Sequence, residues 1–212
     1  MSATHELVEG FRRFRNGRYA QHQTLFEQLA ARGQAPRILV VSCCDSRVDP
    51  AVVTDSAPGE LFIIRNVANL VPPYERGGGL HGTSAALEFG VCELGVSDII
   101  VLGHAHCGGV RALLQPTQSD KRQDGFINDW MRVAEHARNR VLARSQDISP
   151  DAQQRACEME AIRVSLDNLL TFPWILERVM RKELRLHGWY FDMDKVELLA
   201  YDMTQERFEL LA

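Results

Sequence analysis

Hydrophobic positions along the chain fall into two rhythms, and their alternation predicts the fold class. Between His5 and about Arg32, Leu7, Phe11, Phe14, Tyr19, Leu25, Phe26 and Leu29 recur at helical spacing, with Gly17 as a point where one helix gives way to another. Gly33 and Pro36 close that opening arm. RILVVSCC at 37–44 is then a β-branched run with no polar alternation, as expected of a strand covered on both faces, and GELFIIRN at 59–66 and SDIIVLGH at 97–104 repeat the type. An alanine- and leucine-rich helix is expected from Thr83 to Leu94. Strand, helix and strand in this order predict an α/β fold: a central, mainly parallel sheet flanked by helices, with an N-terminal helical arm.

Beyond the third strand a long helical region breaks near Gln146 to Pro150 and resumes from Ala156 to Leu170. Pro173 then suits an early position in a helix that continues through WILERVMRKEL to about Leu186, with Gly188 as its stop. KVELLAYD at 195–202 reads as a last strand at the edge. No internal repeat or flexible linker divides the chain, so residues 1–35 are read as an arm of one domain whose catalytic core spans 36–212.

Charge and cysteine usage narrow the function. Lys and Arg number 24 against 28 Asp and Glu, which gives no basic field to gather nucleic acid. No apolar run approaches the ~20 residues needed to cross a bilayer, and the opening MSATHELVEG lacks the order of a secretory signal, so a cytoplasmic protein without a membrane partner is expected. Five cysteines in a chain of this size then read as core residues, metal ligands or nucleophiles rather than a disulfide framework.

Two chemical clusters each sit where a buried strand ends: Cys43-Cys44-Asp45-Ser46-Arg47, and His104-Ala105-His106-Cys107-Gly108-Gly109. The C-terminal ends of parallel strands share one sheet edge, so the two can converge. Two sulfurs, one imidazole and one carboxylate suit zinc far better than calcium or magnesium. Either piece alone is common by chance and reads equally well as a buried cysteine beside a cap-forming aspartate. Adjacent side chains on a strand face opposite ways, so Cys44 is read as a packed small residue, while Cys92 and Cys157 lack spacing partners and read as structural thiols. The glycines at 108–109 and 77–79 lack the lysine and hydroxyl of a phosphate loop, which excludes a nucleotide site of that type.

Cys-x-Asp-Ser-Arg at 43–47 joined to His-x-x-Cys-Gly-Gly at 104–109 resembles the β-class carbonic anhydrases, and the likeness extends through GELFIIRNVANLVPPY, GTSAALEF, FINDW and LHGWYFD. That resemblance implies a zinc-dependent lyase in which zinc-bound hydroxide hydrates carbon dioxide reversibly to bicarbonate and a proton. It implies Cys43, His104 and Cys107 as the Zn2+ ligands, and Asp45 as a conditional fourth ligand that pairs with Arg47 when it leaves the metal. It further implies a homodimer or homotetramer, with Phe62, Val67, Leu70, Phe89, Phe126 and Trp130 as core or interface residues. His106 occupies a variable position and is expected to be structural or exposed. Hydrolysis of carbonyl sulfide or carbon disulfide, and a non-catalytic zinc scaffold or bicarbonate-binding protein, are the competing readings. Some bacterial members of that family hold bicarbonate at a separate inhibitory site. The matching positions here, Val40, Ser42, Arg65 and Phe191, keep only the arginine, with Tyr190 displaced by one residue, so Arg65 is expected to serve local structure.

Overall fold

The computed structural model describes residues 2–77, 79–114, 125–144 and 148–212. Its centre is a six-stranded sheet built from β1 (Ile38–Cys43), β2 (Leu61–Asn66), β3 (Asp98–His104), β4 (Arg185–Asp192), β5 (Glu197–Asp202) and β6 (Arg207–Leu210), in the order β2-β1-β3-β4-β5-β6. The first four strands run parallel and the last two antiparallel. Helices α1 (Ala3–Phe14) and α2 (Gln23–Arg32) form the arm. Helices α3 (Pro50–Val53), α4 (Gly82–Glu88), α5 (Gly108–Leu114), α6 (Phe126–Met131), α7 (Glu135–Arg144), α8 (Pro150–Leu169) and α9 (Pro173–Met180) complete the described elements. This is the α/β class expected from the alternating rhythms.

Strand β1 leads to β2 on one side, whereas β3 lies on its other side, so the chain changes direction across the sheet between them. Open parallel sheets bind ligands in the crevice that such a reversal leaves at the strands' C-terminal ends. Ser42 pairs with Leu102, so β1 ends one residue later on Cys43 and β3 two residues later on His104. Register alone therefore delivers the two clusters to one place.

Helix α8 begins with Ser149 as its cap, whose Oγ accepts from the Ala152 N–H at 3.3 Å, and Pro150 in its first turn. It covers β3 and β4 with Ile162, Leu166 and Leu169, which join Leu39, Val41, Ile99, Val101 and Tyr190 in the main core. The core also closes over Phe172 and Ile175 at the entry to α9.

Four expectations are corrected. The helix through WILERVMRKEL ends at Met180, not near Leu186, because Lys182 turns left-handed (φ 60°) and the Glu183 and Lys182 N–H groups bond back to the carbonyls of Arg178 and Val179. This closing turn usually carries glycine, so a lysine there hid it. Gly188 accordingly lies within β4 and stops nothing. Strand β5 is interior rather than edge, since Asp202 accepts from the Thr204 and Gln205 N–H groups and turns the chain into β6. In the arm, α1 runs through Gly17 in a wider π-type turn and the break comes at His22. Of the helical break near 146–150, residues 145–147 lie outside the described residues, as does Gly78 of the triple glycine.

A Cβ on Gly188 would lie 2.8 Å from Ile162 and 2.9 Å from Leu166, so the glycine is what lets α8 approach β4. Gly188→Ala is expected to destabilise the chain by about 1–3 kcal/mol in urea unfolding, the cost of overpacking a dense core. Unchanged stability would contradict that packing.

Candidate metal centre

Cys43, at the end of β1, places its sulfur 4.0 Å from that of Cys107, which lies in the turn between β3 and α5. With His104 they form a group whose ligating atoms all lie within 4.8 Å of one another, and all three residues are buried. The His104 Nδ1 lies 2.8 Å from the Ala105 carbonyl, which fixes Nδ1 as the protonated nitrogen and leaves Nε2 as a bare acceptor. That buried Nε2 has no hydrogen-bond partner. An unpartnered imidazole nitrogen beside two sulfurs fits a tetrahedral soft cation, and the donor set is that of zinc.

The sulfurs are strongly coupled. Hydrogen bonding from Cys107, against the opposing effect of burial, lowers the Cys43 thiol. Cys107 is raised by donating to Cys43 and by burial, although the amides of Val110 and Gly109 favour its thiolate. The pair thus gives up one proton readily and resists losing the second until a cation replaces it. Gly109 has its own role here: a Cβ would meet Val67 Cγ1 at 2.8 Å and Ala68 Cβ at 3.1 Å, so α5 can lie against the 67–70 loop only with glycine there.

Asp45 stands apart from the three donors, bound by Arg47. Arg47 Nε donates to Oδ1 at 2.9 Å, Nη2 to Oδ2 at 2.7 Å, and the Arg47 backbone N–H to Oδ1 at 3.0 Å. This fork holds the Asp45 carboxyl well below the ordinary carboxylate range. Arg47 Nη2 also donates to the His106 carbonyl at 3.0 Å, and His106, at φ 59°, pairs its exposed ring with Asp194 at 2.8 Å. His106 therefore has the exposed role expected of it.

Arg65 clamps the first loop from beneath. It donates to the carbonyls of Cys43 (3.0 Å), Asp45 (2.7 Å) and Val48 (3.1 Å) and pairs with Asp49 at 3.1 Å. Its structural reading is upheld. Cys44, in contrast, is exposed rather than packed, because β1 has already ended and only its N–H remains bonded, to Asn66. Cys92 is also exposed, in the π-type turn after α4, while Cys157 is buried as a structural thiol should be.

Several residues escaped the sequence reading. Asn66 ties the next loop by donating to the Leu70 carbonyl at 2.8 Å and accepting its N–H at 2.9 Å, across left-handed Ala68 and Asn69. Trp130 Nε1 donates to the Val67 carbonyl at 2.8 Å. Glu158 and Gln154, buried on α8, reach the Cys107 backbone. Polar residues on an otherwise apolar helix face were the available signal. Beside the cup an open cleft of 880 Å³ is lined by Asn66, Val67, Leu80, Phe126, Ile127 and Trp130 among others. Leu70 is buried near it, but Phe126 is 96% exposed and Phe89 46%, so neither is a core residue of the isolated chain.

A family model described as carbonic anhydrase matches residues 38–198. A carbonic anhydrase of Synechocystis is 40% identical over 196 residues, covering 92% of this chain and 70% of the relative. Beta carbonic anhydrase 3 of Arabidopsis thaliana is 37% identical over 202 residues, covering 92% and 75%. Among solved structures, the β-carbonic anhydrase CcaA superposes with a TM-score of 0.93 at 39% identity, over 100% of this chain and 93% of that one. A tetrameric β-carbonic anhydrase of Sordaria macrospora gives 0.80 at 25% identity, over 99% and 96%.

Proposed function

Because the chain belongs to the β-class carbonic anhydrases, zinc enzymes that hydrate carbon dioxide reversibly to bicarbonate, we propose that Cys43, His104 and Cys107 hold the zinc and that Asp45 and Arg47 govern its fourth position. The observation that carries this assignment is the unpartnered His104 Nε2 facing two buried sulfurs. Zinc in that cup supplies a Lewis acid that lowers the pKa of water to about 7, which makes hydroxide available at neutral pH.

The chain's own residues do the rest. Arg47 engages both Asp45 oxygens and keeps the carboxylate off the cup, which would leave the fourth ligand of a zinc held there to water. Oδ1 already accepts two N–H groups, whereas Oδ2 accepts one. Oδ2 keeps a free lone pair, which would accept a hydrogen from a water held at the cup and orient that water toward substrate. Asp45 serves as an acceptor, not as a base, because its carboxyl is held ionised far below neutral pH. Apolar side chains of the neighbouring cleft, Val67, Phe126 and Trp130, suit uncharged carbon dioxide and offer bicarbonate little, which favours its release. Freed from Arg47, Asp45 is the residue placed to occupy the fourth position itself.

The pH sign follows from Asp45. Its depressed folded-state pKa means that the Arg47 pairing contributes stability above the ordinary carboxylate pKa of about 3.9 and loses it only as pH falls through the lower folded value. Between about pH 6.5 and 9 the pair is therefore constant, and the hydration rate is expected to rise with one apparent pKa near or somewhat above 7. Arg47→Ala is expected to lower kcat/KM by about 10–100-fold in stopped-flow hydration, because Asp45 then competes with water. A parent-like rate in that variant would refute the gate.

The reading extends to assembly and compartment. The arm, residues 1–35, has no buried residue in α1 or α2, and Leu7 and Phe11 stand 75% and 60% exposed. A second copy of the chain covers such apolar surface, and with it Phe126, in a homodimer or homotetramer. Exposed free thiols at Cys44 and Cys92 favour the reducing cytosol. No described helix is long and apolar enough to cross a membrane. Sedimentation is expected to give a dimer or larger species that removal of residues 1–35 dissociates. A monomeric full chain would contradict this.

A further inference from the structure

Glu158 lies outside the metal cup yet touches it through the backbone. Its carboxylate, on a residue 3% exposed, receives three donors: the Cys107 N–H and Gln154 Nε2 at Oε1, each at 2.8 Å, and the Tyr190 O–H at Oε2, also at 2.8 Å. Gln154, one turn earlier on α8, sets its Nε2 3.4 Å from the Cys107 carbonyl and accepts from Arg111 Nε at 3.1 Å. Both polar groups of the Cys107 peptide backbone are thus addressed by one helix face.

This arrangement opposes ordinary helix packing. A buried carboxylate is costly unless its hydrogen bonds are complete, and an apolar residue would fill the same space at less cost. Among the described residues no cation is hydrogen-bonded to Glu158. Arg155, the nearby arginine, is committed to Asp192 at 2.6 Å and stacks over the Tyr190 ring. What Glu158 supplies is therefore an acceptor in a fixed place.

We propose that Glu158 is a positioning residue for the metal cup: through the Cys107 amide it sets the direction of the Cys107 sulfur, while Gln154 and Tyr190 hold the carboxylate still. The proposal rests on the reading of Cys107 as a zinc ligand. It explains why the turn from His104 to Cys107, with His106 left-handed, is anchored from α8 as well as from Arg47. Bonds of this kind behind a ligand fix its geometry, and losing one typically costs about 10–100-fold in metal affinity.

The test is zinc transfer from the loaded full chain to a chelator, together with the thiolate-to-metal absorption of the cobalt(II)-substituted chain. Glu158→Ala is expected to hold zinc about 10–100-fold less tightly and to shift the cobalt band. Glu158→Gln keeps an acceptor at the Cys107 amide and is expected to retain both properties close to those of the parent. If Glu158→Ala does not fold, Tyr190→Phe, which removes only the donor to Oε2, is expected to weaken zinc retention and shift the band in the same direction. Parent-like zinc retention and absorption in Glu158→Ala, or in Tyr190→Phe where that variant stands in, would overturn the proposal. So would equal damage from Glu158→Gln and Glu158→Ala, since charge and not position would then be the cause. Cys107→Ser separates the two levels: if it retains zinc and the cobalt band as the parent does, the ligand assignment itself has failed.

Discussion

The parallel pairing of β1 with β3 is the constraint from which the rest of the site follows. Their register brings both strands to an end within two residues, on Cys43 and His104, at the sheet edge where the strand order reverses. Neither a sulfur nor an imidazole there needs a long loop to reach the other. The turn after β3 then has only to return Cys107 toward Cys43, and Gly109 lets α5 settle against the 67–70 loop while it does so.

The same convergence creates an electrostatic problem that shapes the neighbouring residues. Two buried sulfurs 4.0 Å apart cannot both ionise cheaply, and a bare imidazole nitrogen beside them has lost its water. A bound dication resolves both at once, which couples metal retention to the integrity of the cup. On the proposed reading Asp45 is the carboxylate that would saturate such a cation, and Arg47 engages both of its oxygens. Arg65 holds the loop that carries both of them, through three carbonyls and Asp49.

Much of this was legible because the chemistry falls in short motifs at strand ends. The three buried strands, the converging ligands and the structural role of Arg65 can be read from residue order. What escaped depends on contacts distant in sequence or on conformations their residues do not advertise. Lys182 closes α9 in a position usually given to glycine, so the helical pattern reads on into the first residues of β4, and Gly188 looks like a stop when its task is to admit α8. Cys44 reads as packed because the apolar run RILVVSCC includes it, although β1 ends one residue earlier. Glu158 is fifty-one residues from Cys107, and although a glutamate on an otherwise apolar helix face marks an inward position, residue order does not name the backbone it reaches.

The most direct test of the central claim is zinc-edge X-ray absorption of the loaded chain at neutral pH, compared with Asp45→Ala. The expected first shell is two sulfurs at about 2.3 Å with one nitrogen and one oxygen at about 2.0–2.1 Å, unchanged in the variant, because the gate holds Asp45 away and solvent supplies the oxygen. A third sulfur would bring Cys44 into the cup, and outer-shell carbon scattering from a bound carboxylate that is present in the parent and absent in Asp45→Ala would show Asp45 already on the metal. Either result would contradict the account.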